Sequence, residues 1–145
     1  MDIYSLLRQE HQRIRELFDR SQALAAGASE RATQFRTLAR ELRAHLEAEE
    51  STFYAVLRAL PEISEQIEEA LDEHVDIEEL LQELAALDCD SAPFIAQLGE
   101  LKEEIEHHFG QEEGEIFRRA RTLLSADQEE QIARAMQAER SRLTA

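Results

Sequence analysis

Four histidines recur at a fixed spacing along this chain of 145 residues. His45 follows His11 by 34 positions. His108 follows His74 by the same 34 positions, and an offset of 63 carries the first pair onto the second. The spacing therefore indicates a duplicated helical hairpin with one histidine on each of four helices. A lone histidine on an apolar helix face is usually a core residue satisfied by one hydrogen bond, but four at matching positions favour a shared metal site.

Two glutamates stand four positions after two of these histidines, Glu49 after His45 and Glu112 after His108. Residues four apart lie on one helix face about one turn apart, so both members of each pair can reach the same centre. An imidazole and a carboxylate at that separation can bind one metal ion or bridge two. Four imidazoles and two ionised carboxylates are costly to bury without a compensating cation. We therefore predict that these six residues are metal ligands, and nitrogen with carboxylate suits iron, manganese or zinc.

Several neighbouring residues are weaker candidates for the same site. Glu78 stands four positions after His74, so it is a possible extra ligand, and a surface position is the alternative. His107 points about 100° away from its neighbour around an ideal helix, so we expect it to flank the site without coordinating. Glu50 and Glu113 are also one position off the face. We expect them to be solvated or to orient a histidine N–H.

The elements that must position these residues are almost all helical. The chain has only four Gly and two Pro, and little β-branched alternation. Apolar residues recur every three or four positions in four long segments, which predicts four amphipathic helices. The predicted helices cover roughly 2–26, 29–59, 63–88 and 93–123, with breaks at Gly27, at Pro61 and before Pro93.

Short connections between four long helices favour an all-α, antiparallel up-down-up-down four-helix bundle over residues 1–124. Ser125 with Gln128 three positions later predicts a capping box, so a short fifth helix should cover 125–143. The length fits a single domain over 1–145. A ferritin-like bundle would place Glu three positions before its ligand histidines, and here those positions hold Leu42, Leu71 and Ile105.

Charge and composition exclude several classes of partner. The chain carries 32 acidic and 16 basic residues, a formal net charge of -16 and a pI near 4.6. Such a surface repels phosphate backbones and anionic lipids, so we expect no nucleic-acid and no membrane partner. No apolar run approaches the length of a membrane span, and the N-terminus lacks a secretory pattern, which favours a cytoplasmic location. Cys89 is the only cysteine, so the chain has no internal disulfide.

Two extended motifs carry a family resemblance. They are H-L-E-A-E-E-S-T-F-Y from His45 and H-F-G-Q-E-E-G-E-I-F from His108, preceded in each half by a further histidine, His11 or His74. This pattern resembles the hemerythrin-like, HHE cation-binding family of non-haem di-iron bundles, and it covers nearly the whole chain. Within the first motif, Tyr54 fits a core or rim position, with a hydrogen bond toward a metal-bound ligand as the alternative.

The resemblance implies two iron ions bridged by an oxo or hydroxo group and by the carboxylates of Glu49 and Glu112. The four histidines are then terminal ligands, and zinc or manganese are possible substitutes for iron. Oxygen-carrying members of the family are expected to place a second histidine four positions after the one on the third helix. Glu78 occupies that position here, which weakens the case for oxygen carriage.

The resemblance implies a centre that binds, senses or handles oxygen, peroxide or nitric oxide. Two alternatives use the same residues: an enzyme that turns over peroxide or nitric oxide, and a metal store, carrier or regulatory module stabilised by its ligands. Turnover would distinguish the enzyme from a stoichiometric binder. The native metal, the physiological ligand, the redox partner and the oligomeric state are not specified by the sequence.

Overall fold

The computed structural model describes residues 1–24 and 30–145, and the helix break predicted at Gly27 lies outside them. The described residues contain helices and no strand. In chain order the helices are α1 (Ile3–Ala23), α2 (Glu30–Ser51), α3 (Phe53–Arg58), α4 (Ser64–Ala85), α5 (Ala92–Gln111), a π-helical turn (Glu112–Ile116), α6 (Phe117–Leu123) and α7 (Ala126–Leu143).

These helices form the predicted up-down-up-down bundle. Its four columns are α1, α2 with α3, α4, and α5 with the π-helical turn and α6. The column of α1 packs against α2, and α4 packs against α5, as expected for two helical hairpins. Helix α7 lies outside the four columns and packs on α1 and α2. Every helix in the described ranges is too short or too polar to cross a membrane.

Local side-chain bonds set several helix ends. The Ser91 hydroxyl accepts a hydrogen bond from the Phe94 N–H and caps α5. At the start of α7 the predicted capping box is present, because Ser125 and Gln128 each accept a backbone N–H from the other. Helix α4 ends at Ala85, three residues before the predicted boundary, because the chain already turns there toward the cap of α5.

Two of the predicted long helices are interrupted at or just after a candidate ligand. The prediction of one helix over 29–59 is wrong at Thr52, where φ is -120° and ψ is -80° and the hydroxyl donates to the Ala48 carbonyl at 2.6 Å. The prediction of one α-helix over 93–123 is wrong at Glu112–Ile116, which forms a π-helical turn. A π-helical turn holds extra backbone per turn and often occurs at functional sites. Apolar periodicity does not show such local changes of pitch.

The interior consists of two apolar clusters with a polar layer between them. One cluster gathers around Tyr4, Phe53 and Phe117 near one end of the bundle, and the other gathers around Phe18 and Phe109. The four spaced histidines and their glutamates lie in the layer between these clusters, and all are buried. The fold therefore holds its candidate ligands in the middle of the bundle, shielded on both sides by packed side chains.

Candidate metal centre

Six buried side chains from all four columns of the bundle meet at one place. Helix α1 contributes one histidine, α2 a histidine and a glutamate, α4 one histidine, α5 one histidine, and the π-helical turn one glutamate. This central cluster comprises His11, His45, Glu49, His74, His108 and Glu112. The structure thus brings together all six residues that the sequence spacing singled out, and their assignment as ligands stays a prediction.

The cluster divides into two groups that share one carboxylate. Ligand atoms of His11, His45 and Glu49 all lie within 4.8 Å of one another, and so do ligand atoms of Glu49, His74 and His108. Glu112 reaches both groups. Its Oε1 lies 3.1 Å from Nε2 of His11, and its Oε2 lies 4.0 Å from Nε2 of His108. Both glutamates therefore lie between the two groups, where a carboxylate can bridge two ions.

Several ligand atoms in the cluster are buried without a hydrogen-bond partner in the described part of the chain. They include Nε2 of His45 and Oε2 of Glu49. Nε2 of His11 faces Oε1 of Glu112 at 3.1 Å, and Oε1 of Glu49 faces Nε2 of His74 at 3.2 Å, so the remaining ligand atoms lie in close contact with one another. Buried polar atoms are nearly always hydrogen-bonded, because an unsatisfied one costs free energy of folding. The atoms without a partner are imidazole nitrogens and carboxylate oxygens, which are ligand atoms that iron, zinc and manganese bind. The residues present therefore fit a metal site.

The contact between His74 and His108 supports the same reading. Their Nε2 atoms lie 3.0 Å apart. Each ring donates its Nδ1–H to a carboxylate, His74 to Glu50 and His108 to Glu73, so a neutral ring has only a lone pair at Nε2. Two lone pairs at this distance repel each other unless a cation lies against both. A metal ion satisfies both nitrogens at once.

Four further carboxylates hold the histidines in orientation. Each one lies within hydrogen-bond distance of one Nδ1: Glu113 at 2.7 Å from His11, Glu10 at 2.9 Å from His45, Glu50 at 2.8 Å from His74, and Glu73 at 2.7 Å from His108. We call Glu10, Glu50, Glu73 and Glu113 the orienting carboxylates. A carboxylate on Nδ1 fixes the tautomer and aims Nε2 inward, which is the usual arrangement around metal-bound histidines.

Sequence reasoning found two of the orienting carboxylates and missed the other two. Glu50 and Glu113 were expected to orient a histidine N–H or to be solvated, and both contact a histidine. Glu10 and Glu73 were not singled out as part of the site. The signal was nevertheless present, because the offset of 63 that relates the histidines also carries Glu10 onto Glu73.

The two carboxylates inside the cluster have pKa values displaced in opposite directions. Burial, followed by the negative charge of Glu112, raises the pKa of Glu49 well above its ordinary value. Burial acts on Glu112 in the same sense, but the hydrogen bond and charge of His11 and the charge of His108 outweigh it and lower its pKa. Paired acids with pKa values driven apart are typical of functional sites.

The histidines also differ in protonation. Burial lowers the pKa of His45 and of His74, so both rings are neutral at neutral pH and able to act as ligands. Burial acts in the same direction on His11, but the hydrogen bonds and charges of Glu112 and Glu113 outweigh it and leave the His11 pKa raised. A proton on His11 is one way to balance the charge of Glu112, and a bound cation is another.

Tyr54 adds a phenol at the edge of the cluster. The side chain is buried, its hydroxyl donates to Glu112, and its ring centroid lies 5.3 Å from that of His74. Burial and then the charges of Glu112 and Glu49 raise the pKa of Tyr54 well above its ordinary value, so the phenol keeps its proton. Of the two roles that the sequence left open, this contact favours a hydrogen-bond donor toward a candidate ligand.

Two sequence candidates lie away from the cluster. The Glu78 carboxylate is bonded to the Arg43 guanidinium at 3.0 and 3.1 Å on the bundle surface, so the structure does not bring it to the metal site. Its i+4 position after His74 permitted coordination, but the Arg43 partner across the helix interface holds it outward. The His107 ring is exposed and its Nε2 lies 3.5 Å from Glu73, which is the flanking position expected of it.

A solved structure of another protein shares this fold. A structure described as a hemerythrin HHE cation-binding domain-containing protein, an Rv2633c homologue from Mycobacterium kansasii, superimposes with a TM-score of 0.86. It is 21% identical, and the match covers 99% of this chain and 87% of that one. At this identity the likeness shows the fold alone.

A curated protein named DNA nickase, from Nostoc sp. strain PCC 7120, is 27% identical over 143 residues. The match covers 99% of this chain and 40% of that protein, so this chain spans less than half the length of the relative. The family model described as the hemerythrin HHE cation-binding domain matches residues 2–140, which include all six residues of the central cluster. The chain therefore belongs to the hemerythrin HHE cation-binding domain family.

Proposed function

We propose that the central cluster holds two metal ions, one at each of the two ligand groups, with the carboxylates of Glu49 and Glu112 spanning both. The observation that carries this proposal is the convergence of buried Nε2 and carboxylate atoms, of which Nε2 of His45 and Oε2 of Glu49 have no hydrogen-bond partner within residues 1–24 and 30–145. Each such atom is expected to destabilise the folded chain by about 1–3 kcal/mol unless another group engages it. A pair of cations would engage all of them together.

Iron is the proposed native metal, with zinc or manganese as substitutes, because a mixed set of imidazole and carboxylate ligands suits all three. Two bound iron ions would supply electrons and a coordination position for a small molecule such as dioxygen, nitric oxide or peroxide. The proposed role is therefore to bind, sense or handle such a molecule. Glu78 points away from the cluster, so the chain lacks one ligand that oxygen carriers of this type are expected to have.

The residues around the cluster would control access and protons. The Phe109 ring stacks on His11 with centroids 3.7 Å apart and helps to exclude water from one side. On another side, a cavity of about 620 Å³ opens beside Glu50 and Tyr54. Tyr54 holds a proton at its hydroxyl between this cavity and Glu112. A small ligand or a proton entering there would reach the side chains of Glu50 and Tyr54.

The direct test is to load the purified chain with ferrous iron under argon and to measure iron by elemental analysis. Two ions per chain are expected. Peroxide or nitric oxide is then added in large excess over protein, and the amount consumed is counted. Consumption far above the protein concentration supports an enzyme, and one equivalent supports a binder or sensor. Stoichiometric zinc with no bound iron, from cells supplied with both, would instead support a metal store or regulatory module.

The name of the Nostoc relative suggests DNA as another substrate, but the charge of this chain disfavours DNA binding. A net charge of -16 repels a phosphate backbone, and the carboxylates of the cluster are buried where a duplex does not reach. We expect the iron-loaded chain to leave supercoiled plasmid intact. Conversion of plasmid to the open circular form by wild-type chain, but not by His45→Ala, would contradict this expectation.

A further inference from the structure

The orienting carboxylates are held in two different ways, although the chain is a duplicated hairpin. Glu10 and Glu113 orient the two histidines of the first hairpin, and both contact arginines. Glu10 lies 3.6 Å from Nε of Arg140 on α7. Glu113 lies 3.5 Å from the Arg15 guanidinium and 3.8 Å from that of Arg8. The carboxylates that orient the first-hairpin histidines are thus themselves held in place by arginines.

The orienting carboxylates of the second-hairpin histidines, Glu50 and Glu73, form no ion pair with an arginine among the residues that the structure describes. The Glu50 side chain is 42% exposed, whereas the Glu10 side chain is 7% exposed. Glu50 and His74 line an open cavity of about 560 Å³, and Glu73 lines another of about 220 Å³ together with His107. Water can therefore compete for Glu50 in particular, since Glu73 is only 24% exposed and also contacts His107.

The position of α7 explains the difference at Glu10, whereas the arginines that contact Glu113 lie on α1. This helix packs on α1 and α2 of the first hairpin, and Arg140 near its C-terminal end contacts Glu10 and also Glu41, at 3.2 Å. A cavity does reach Glu10 between α1 and α7, but Arg140 is part of its wall.

The second hairpin is polar and exposed at two positions where the first is apolar and buried. Leu6 and Ala44 are buried in α1 and α2, and the offset of 63 carries them to Glu69 and His107, which are exposed. Only one half of the duplication therefore carries a helix over its orienting carboxylate.

We propose that α7, through Arg140, makes the two ion positions unequal. The ion at His11 and His45 is released slowly, and the ion at His74 and His108 is released first. A carboxylate on Nδ1 keeps a histidine aimed at its ion, and loss of such a partner typically weakens metal binding about 10-fold to 100-fold. Arg140 prevents Glu10 from turning to solvent, and Glu50 has no such restraint. This inference rests on the proposed two-ion centre.

The test measures ion release from the full chain loaded with Co²⁺, using excess chromogenic chelator and recording the released metal with time. Wild-type protein should release one equivalent quickly and one slowly. His108→Ala should lose the fast phase and keep the slow one, which assigns the phases. Arg140→Gln should accelerate the slow phase by about tenfold or more and leave the fast phase unchanged. Glu50→Gln should accelerate only the fast phase.

Arg142→Gln is the matched control, because Arg142 lies on the same helix, is exposed and forms its ion pair with nearby Glu139. It should leave both phases unchanged. Arg140→Lys keeps the charge and should give an intermediate slow phase, with circular dichroism to confirm that α7 is still folded. Release of both ions in one phase, or an unchanged slow phase in Arg140→Gln, would overturn the inference. A chain that takes up no stoichiometric metal at all would instead overturn the proposed function.

Discussion

At the scale of single residues, the centre depends on a carboxylate that folding leaves unsatisfied. Glu49 is fully buried, and its Oε1 lies 3.2 Å from Nε2 of His74, a ring that burial keeps neutral, so the contact brings no positive charge to the carboxylate. Its pKa is raised because burial and the neighbouring charge of Glu112 both disfavour the ionised form. A buried charge without a partner destabilises the folded state, so Glu49 lowers the stability of the metal-free chain. Proteins commonly keep residues that lower stability where the functional site needs them.

Glu49→Gln should therefore stabilise the metal-free chain while abolishing metal binding. The amide has almost the same shape, carries no charge and can donate a hydrogen bond to Glu112. We expect the free energy of unfolding at pH 8 in the presence of chelator to rise by about 1 kcal/mol or more. Denaturant unfolding followed by circular dichroism measures it. Glu47→Gln, an exposed change on the same helix, should have no such effect.

The effect of Glu49→Gln should depend on pH with a definite sign. Because the folded-state pKa of Glu49 is raised, the stability that Glu49 contributes is present below its unfolded-state pKa and is lost as pH rises through the folded-state pKa. The advantage of the glutamine variant should thus be largest at alkaline pH and should shrink on acidification toward the ordinary glutamate pKa of 4.5. An advantage that grows toward acid pH would be inconsistent with a buried, unpaired carboxylate.

Tyr54→Phe should leave metal binding intact and slow the chemistry of the loaded centre. The substitution removes only the hydroxyl that donates to Glu112 and holds a proton beside the cluster. Loss of a positioned proton donor typically lowers a rate by about 100-fold or more. We expect two ions per chain and a peroxide consumption rate reduced to that extent. Tyr4→Phe, a change of the other tyrosine, is the control, and equal rates for the two variants would contradict a proton role for Tyr54.

Residue spacing predicted the composition of the cluster better than its surroundings. The positions of four histidines and two glutamates follow from helical periodicity, because an apolar face must turn inward and carries its polar residues with it. Glu78 shares that periodicity, yet it lies outside, since Arg43 from a neighbouring column pairs with it. Glu10 is close to the centre only because α1 and α2 pack together. Contacts between columns of this kind are not encoded in the period of one helix.

At the scale of elements, the helix is interrupted close to a candidate glutamate ligand in both halves of the duplication, three residues after Glu49 and at Glu112 itself. Thr52 in the first half corresponds to Glu115 in the second under the offset of 63, and Glu115 lies in the π-helical turn. In the second half, Glu112 contacts His11 and His108 while the adjacent Glu113 reaches Nδ1 of His11. Two consecutive carboxylates thus serve one histidine. The π-helical turn begins at Glu112, the first of these two carboxylates. Sequence periodicity alone predicted an uninterrupted α-helix there.

Helix α7 was predictable from its capping box, and this gives a test of how firmly it is held. Ser125→Ala removes the side-chain acceptor for the Gln128 N–H. The loss of such a cap typically costs about 1 kcal/mol. We expect faster amide hydrogen exchange throughout α7 and little change in α4 or α5. Ser141→Ala, an exposed change near the other end of the helix, should leave the exchange unaltered, and unchanged exchange in Ser125→Ala would show that packing alone holds α7.

At the scale of the whole molecule, the polar layer separates two apolar clusters that lie toward opposite ends of the bundle. The sequence predicted the duplication, the bundle and the C-terminal helix, because each follows from apolar periodicity and short connections. The unequal surroundings of the two hairpins were not predictable, since they depend on where α7 packs. Two bound ions would join all four columns at this layer. Metal binding should therefore stabilise the fold as a unit instead of one helix at a time.

His45→Ala should accordingly reduce the metal-dependent gain in stability that wild-type protein shows. Ligand at 100 times its dissociation constant stabilises a folded chain by about 2.7 kcal/mol per site, which corresponds to a rise in melting temperature of roughly 10 °C at this size. Calorimetry with and without Co²⁺ measures the difference. Wild-type protein and His107→Ala should both show the rise, because the exposed His107 ring only flanks the cluster. His45→Ala should show only part of the rise, because it keeps the ion position formed by Glu49, His74 and His108. If all three proteins showed an equal rise in melting temperature, the metal would not be bound between the four columns.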